Sequence, residues 1–450
     1  MPMFFLFLVL VGCDDFVDVA VPDSQLTGSV VFQDRTTANA AMVAVYAQLR
    51  DSGLLAGNAN GSAVSMGLYA DELVYYGTND ENVSFLFNNS LLSTTGIVSQ
   101  LWNDSYHQIY CANAVIEGCS NSTTLATADK NQFIGEATFV RALVHFYLLQ
   151  VYGDVPYITT TNYEQNRLVT RLPSDAVYAR IVADLEQAIA LLPESYLTPD
   201  RVRANRSVAS ALLARVCLYK GDWAQAANAA SAVLNTPDYV WETDIDKVFL
   251  KDCPSTIWQF SPKQAGNNTE EASVFVFESG PPPFVGLRQD LVASFDPNDL
   301  RKTHWIGTVT DGTDTWYYAN KYKQNGNTGA SVEYSIVFRM AELYLIRAEA
   351  RARQGELSTA QDDLNRVRHL AGLPDTTAVT GPEIIAAVQQ ERRWELFTEY
   401  GHRFFDLKRM GALDAVLPAV KGGWSTTDAM WPIPETELLA NPNMTQNPGY

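Results

Sequence analysis

Arg215-Val216-Cys217-Leu218-Tyr219-Lys220-Gly221-Asp222-Trp223-Ala224-Gln225-Ala226 aligns with Glu349-Ala350-Arg351-Ala352-Arg353-Gln354-Gly355-Glu356-Leu357-Ser358-Thr359-Ala360. Gly221 and Gly355 suit the left-handed position that ends a helix, where a side chain would be strained. Asp222 and Glu356 follow, placed at the positive start of a second helix. Ala226 and Ala360 are small enough to let two helices approach closely. Each stretch therefore reads as helix, glycine turn, helix, and the shared Gly and Ala positions make the two hairpins repeats of one unit.

A hairpin of this kind cannot bury its apolar face alone, so three or four stacked units forming a right-handed solenoid are expected, in the manner of degenerate tetratricopeptide repeats. Apolar residues recur at helical spacing over Thr36–Leu49, Val98–Glu117, Asp129–Tyr152, Asp175–Leu192, Ser207–Tyr219 and Trp223–Leu234, and again over Ser335–Ala371 and Glu383–Arg409. Between about 237 and 335 the texture changes. Thr256–Phe260 and Ser273–Phe277 are short apolar runs that read as strands, and Pro281-Pro282-Pro283, Asp311-Gly312 and Gly326 punctuate the loops. The last forty residues are rich in Pro, Asn and Gly and should pack irregularly. The predicted fold is mainly α: a tetratricopeptide-like helical-hairpin solenoid with irregular loops and a few short strands. Residues 14–450 read as one domain, with the scaffold mainly in 34–235 and 335–410 and the loop-rich, ligand-binding region at about 237–335.

A chain of 450 residues, 47% hydrophobic and 18% charged, can bury a large core and is too apolar for disorder. Beyond residue 12 no apolar run reaches the roughly 18 residues a membrane helix needs, because charges or prolines interrupt each one. Lys+Arg number 32 against 51 Asp+Glu, a formal charge of −19, which argues against nucleic acid and anionic membrane surfaces and favours a neutral or cationic ligand.

Met1 to Gly12 is a short apolar run followed by Cys13. This is the pattern of a bacterial lipoprotein signal, in which acyl chains on the new N-terminal Cys13 hold the protein to a membrane. The absence of Lys or Arg before Phe4 departs from the usual basic start, which a start codon assigned too late would explain; a secretory segment or a buried strand is the competing reading. Cys111 and Cys119 would pair if a turn brings them together. Cys217, among Leu212, Leu213, Val216 and Leu218, reads as a buried free thiol.

Enzyme signatures are absent: there is no GxSxG, GxxxxGK[ST] or GxGxxG. His107, His145, His304, His369 and His402 lie far apart without metal spacing, and the exposed Asp and Asn clusters lack the spacing of a calcium loop. No metal or cofactor is predicted, and no catalytic residue. A glycoside hydrolase needs only two carboxylates brought close in space, so that reading stays open as the alternative, beside a peptide-binding solenoid. Glu391, Arg392, Glu395, Arg403, Asp406 and Arg409 cluster at helical spacings and read as a buried ion-pair network.

Six separated stretches together resemble the SusD/RagB family of outer-membrane nutrient-binding lipoproteins. They are Leu101-Trp102 to Ala112-Asn113; Gly135-Glu136-Ala137 through Arg141-Ala142 to Val151-Tyr152-Gly153-Asp154-Val155-Pro156; Ala211–Arg215 to Gly221-Asp222-Trp223; Phe338–Leu345; Glu391-Arg392 to Asp406-Leu407; and Trp431-Pro432-Ile433-Pro434 to Gln446-Asn447-Pro448-Gly449-Tyr450. The resemblance implies a surface-exposed, lipid-anchored protein of the cell outer membrane that captures an oligosaccharide or polysaccharide without chemistry. It also implies a partner, a SusC-like TonB-dependent transporter that imports the captured glycan. Asp14-Asp15 resembles the acidic tract that sends such lipoproteins to the surface.

Family members bind ligand through two general regions, which here are the loops richest in aromatics outside helices. Sugar C–H faces stack on flat rings while amides, carboxylates and guanidiniums bond the hydroxyls. The predicted contacts are Asp71, Tyr75, Tyr76, Asn79 and Asn82 in the first loop, with Glu72 and Asp80 nearby. In the second they are Arg288, Trp305, Trp316, Tyr317 and Asn325, with Tyr318 and Lys321 nearby. For each tryptophan taken singly, covering an edge of the core is the competing role. Tyr75 and Tyr76 point to opposite sides of an extended chain, so only one of them is expected to bind.

Overall fold

The structure is a computed structural model that describes residues 28–78 and 80–450; Cys13 and Asn79 lie outside the described residues. The first half supplies helices α1 (Arg35–Asp51), α2 (Ser62–Tyr69), α3 (Glu81–Phe87), α4 (Gly96–Asn121), α5 (Thr127–Tyr152), α6 (Tyr163–Asn166), α7 (Ser174–Leu191), α8 (Arg206–Lys220) and α9 (Trp223–Leu234). The second supplies α10 (Glu270–Phe275), α11 (Gln289–Ser294), α12 (Met340–Arg353), α13 (Leu357–Leu370), α14 (Gly381–Glu395), α15 (His402–Arg409) and α16 (Glu435–Ala440). Helix packs on helix in an unbroken series, α4 on α5, α5 on α7, α7 on α8, α8 on α9, α9 on α12, and α12 on both α13 and α14. Among the described residues no helix is long and apolar enough to cross a membrane.

The two hairpins read from sequence share one turn. Gly221 and Gly355 have φ of 84° and 83°, and each is followed by an amide bonded five residues back, Asp222 to the Cys217 carbonyl and Glu356 to the Arg351 carbonyl, both 2.9 Å. Ala226 and Ala360 are fully buried where the paired helices meet. Buried arginines stitch the stack. Arg141 binds Asp184 across α5 and α7, Arg215 binds Glu342 across α8 and α12, and Arg347 binds Asp363 across α12 and α13. The cluster predicted at 391–409 forms such a network too, with Arg392 and Arg409 both on Asp406 at 2.7 Å.

The C-terminal tail docks on α5 for a specific reason. A helix leaves its last carbonyls without intrahelical partners, and here residues far along the chain satisfy them. Lys408 Nζ donates to the Gln150 carbonyl at 2.6 Å, the Trp431 amide to Val151 at 2.9 Å, and Asn447 Nδ2 to Tyr152 at 2.8 Å.

Several expectations are corrected. Ser335–Arg339 is a strand, because its β-branched and aromatic run pairs in the core with Thr256–Phe260 before α12 begins. Ser273–Phe277 is not a strand: Thr269 caps a helix that ends at Phe275, accepting from the Ala272 amide at 3.2 Å. The helical pattern Glu383–Arg409 breaks between Glu395 and His402, where Thr398 and Tyr400 have positive φ. Cys111 and Cys119 do not pair; both lie on α4, two turns apart, and are free.

Candidate functional site

Four short strands, β1 (Leu73–Tyr75), β3 (Val285–Leu287), β4 (Ile306–Thr310) and β5 (Thr315–Ala319), form a sheet in the order β1-β3-β5-β4; β2 (Thr256–Phe260) and β6 (Ser335–Arg339) form a separate pair. The β4–β5 hairpin turns where Asp311-Gly312 predicted a break, with Asp311 Oδ1 accepting from the Thr313 and Asp314 amides at 2.8 Å. Opposed residues share a face. Leu73 opposes Leu287 and Ile306 opposes Ala319, and these side chains are buried in the core. The other face carries Val74 opposite Gly286, Trp316 opposite Val309 and Tyr318 opposite Gly307. It points outward with its aromatics half-buried.

Glycines let these rings approach the backbone. A Cβ on Gly280 would strike the Trp316 indole, and one on Gly307 would strike the Tyr318 ring. Tyr76 continues the β1 edge, its amide donating to the Phe284 carbonyl at 2.8 Å. Around Tyr76 and Trp316 opens a cleft of about 570 Å³, also lined by Val74, Arg288, Gln289, Asp290, Asp314, Thr315, Tyr317 and Val420. That size and the mix of rings with a few polar groups are those of a small-molecule site. Arg288 precedes α11 and its amide is fixed to the Glu72 carbonyl at 2.9 Å, while its Nε donates to Asp290 at 2.9 Å. Partial burial and the Asp314 charge raise the Tyr76 hydroxyl above its ordinary value, so it stays a neutral donor and acceptor at neutral pH. The cleft therefore offers three flat rings, a guanidinium and two carboxylates.

Of the residues predicted from sequence, the cleft brings together Tyr76, Arg288, Trp316 and Tyr317. The others are placed elsewhere. Trp305 is 1% exposed, its ring edge-on to Phe249 and its indole N–H bonded to the Ile245 carbonyl at 3.2 Å, so it is a core residue. Asp71 is buried and held by Arg403 and Arg393. Burial pushes its carboxyl up, but the bonds and charge of these arginines override this and hold it below the ordinary value. Glu72, also buried beside Asp71, rises to about 7. Tyr75 turns to the opposite face from Tyr76, edge-on to Phe284, and its hydroxyl accepts from the Asp80 amide at 3.2 Å.

Asn82 spends its Oδ1 on the Ile97 amide at the start of α4, at 3.2 Å, and Asp80 caps α3. Asn325 is exposed but lies outside the cleft. Lys321 is buried, donating to the Glu395 and Phe397 carbonyls and to Glu399. Sequence reasoning missed Gln289, Asp290, Asp314, Thr315 and Val420. The first four flank predicted residues. Val420 arrives from far along the chain, delivered by Lys421, whose buried ammonium donates to the Leu68 and Phe87 carbonyls at the ends of α2 and α3.

Fold and site together define a class: a tetratricopeptide-like helical scaffold whose small sheet presents aromatic side chains to solvent. Comparison with known proteins gives that class its family. Residues 300–450 match the model of the SusD family, and residues 22–218 match a model described as starch-binding, associating with the outer membrane. The chain belongs to the SusD family. It is 26% identical to SusD-like protein P2 of Formosa agariphila, over 99% of this chain and 98% of that one. A SusD superfamily protein from Bacteroides vulgatus superimposes with a TM-score of 0.82 at 21% identity, covering 93% of this chain and 100% of that one. A solved laminarin-binding SusD-like protein superimposes with a TM-score of 0.78 at 26% identity, over 93% of this chain and 100% of that one.

Proposed function

We propose that this protein captures an oligosaccharide or polysaccharide at the outer-membrane surface, without cleaving it, and passes it to a SusC-like TonB-dependent transporter. The observation that carries the reading is the outward sheet face, where Tyr76 and Trp316 flank a cleft holding Arg288, Asp290 and Asp314. Pyranose rings are amphipathic: their C–H faces stack on the aromatic rings, and their hydroxyls both donate to carboxylates and accept from the guanidinium. A neutral glycan also suits a chain of net charge −19, which repels polyanions. The family description and the laminarin-binding relative support the same ligand class. In this reading Cys13 is acylated and tethers the protein to the membrane.

The test is a glycan-array screen of the soluble protein lacking residues 1–13, followed by a reducing-end assay on every hit. Binding without accumulation of reducing ends is expected. Cleavage would make the protein a glycoside hydrolase, with Asp290 and Asp314 the first carboxylates to replace; no glycan binding at all would overturn the reading.

A further inference from the structure

A second cleft, of about 330 Å³, lies where α4, α6 and the C-terminal α16 meet, and it shares no lining residue with the first. Its walls include Tyr106, Tyr110, Tyr163, Asn166, Arg167 and Glu437. Tyr106 is fixed by its hydroxyl, which donates to the Pro156 carbonyl at 2.9 Å. Tyr110 and Tyr163 are 50% and 72% exposed, so two phenol rings stand open to solvent on the rim of one concavity.

Glu437 makes the cleft selective. Its carboxylate is bonded to the Trp102 indole and is raised by burial, and among the described residues it has no ion-pair partner. An apolar helix laid into this cleft would bury that carboxylate without compensation, which is costly. A cationic group would meet Arg167 on the same rim. A neutral polyhydroxylated ring satisfies every group present: its C–H face stacks on tyrosine, its hydroxyls donate to Glu437, and its oxygens accept from Arg167 and Asn166. The volume falls at the lower end of the roughly 300–1,000 Å³ typical of small-molecule sites.

We propose that this cleft is a second glycan-contact site, taking one or two neutral sugar units, so that one polymer is held at two points on the protein. The proposal rests on the glycan-capture reading above. Two-point attachment predicts an avidity that a short oligosaccharide does not experience.

The experiment is affinity electrophoresis of the full chain in gels containing laminarin and a panel of other neutral polysaccharides. It compares the unaltered protein with Trp316→Ala, with Tyr110→Ala/Tyr163→Ala, and with all three changes together. The substituted tyrosines are exposed, so an unchanged thermal midpoint is expected for that variant and serves as the folding control. For the polymer that retards the unaltered protein, a loss of about tenfold in affinity is expected on altering either cleft, and loss of retardation on altering both. Retardation reduced by Trp316→Ala but untouched by the tyrosine changes would overturn the second site and leave glycan capture standing. Reduction by the tyrosine changes alone would uphold glycan contact at this cleft but overturn two-point attachment and remove the sheet cleft from the reading. No retardation of the unaltered protein by any polysaccharide would overturn both.

Discussion

Arg403 clasps Asp71 through two parallel bonds of 2.7 Å, from Nε to Oδ1 and from a terminal nitrogen to Oδ2, and Arg393 adds a third at 3.1 Å. The pair ties α15 to the residues that open β1, whose continuation carries Tyr76 to the cleft. Asp71→Asn removes the charge that compensates two largely buried guanidiniums. A loss of roughly 3–5 kcal/mol is expected, as when one partner of a buried pair is deleted, measured by denaturant titration. Loss of glycan binding with stability intact would instead make Asp71 a ligand contact.

Trp305 and Trp316 look alike in sequence and differ in role. Trp305→Ala should cost about 3–5 kcal/mol of stability, the range for truncating a buried large aromatic. Trp316→Ala should leave the unfolding midpoint near its original value and weaken glycan binding by about 1–3 kcal/mol. Calorimetry on both variants separates the two, and an exchange of these effects would refute the placement of the cleft.

What the sequence made legible was whatever local chemistry dictates. The glycine turns at 221 and 355, the helix periods and the aromatic density of 316–318 are all local signals. The opposite facing of Tyr75 and Tyr76 follows from the two-residue period of a strand. What stayed hidden depends on long-range pairing. Nothing near Ser335 shows that β2 waits 75 residues upstream, so helical spacing ran on through β6. Asp71 and Trp305 carry ligand-like side chains, and only their three-dimensional neighbours, Arg403 and Phe249, reveal them as structural. Val420 had no local signal at all, since Lys421 positions it through carbonyls of α2 and α3.

Glu271 gives stability a defined pH dependence. Burial raises its carboxyl from 4.5 to about 7, while the Ser335 hydroxyl donates to it at 2.6 Å. Between those values the folded state binds more protons than the unfolded, so the contribution of Glu271 is full below about 4.5 and is lost as pH rises through about 7. Glu271→Gln, which mimics the protonated side chain, should therefore stabilise the protein more at pH 7.5 than at pH 5. Paired urea titrations at about these two pH values read the difference; equal effects at both would show that Glu271 titrates normally.

Asn447 is the residue that makes the C-terminal tail part of the fold. Its amide donates to the Tyr152 carbonyl at the end of α5 at 2.8 Å and to the Trp431 carbonyl at 2.7 Å, and Arg171 binds its Oδ1. Asn447→Leu keeps similar bulk but offers no donors, leaving two buried carbonyls unsatisfied at a cost of roughly 1–3 kcal/mol each. Because α16 lies between Trp431 and Asn447, hydrogen exchange should quicken first over residues 431–450 and the last turn of α5. The sheet cleft, which draws only Val420 from this end of the chain, should keep its glycan affinity. Unaltered exchange in the tail would mean that the Trp431 amide on Val151 and the Arg171 bond to the Thr445 carbonyl suffice to hold it, and that Asn447 is dispensable.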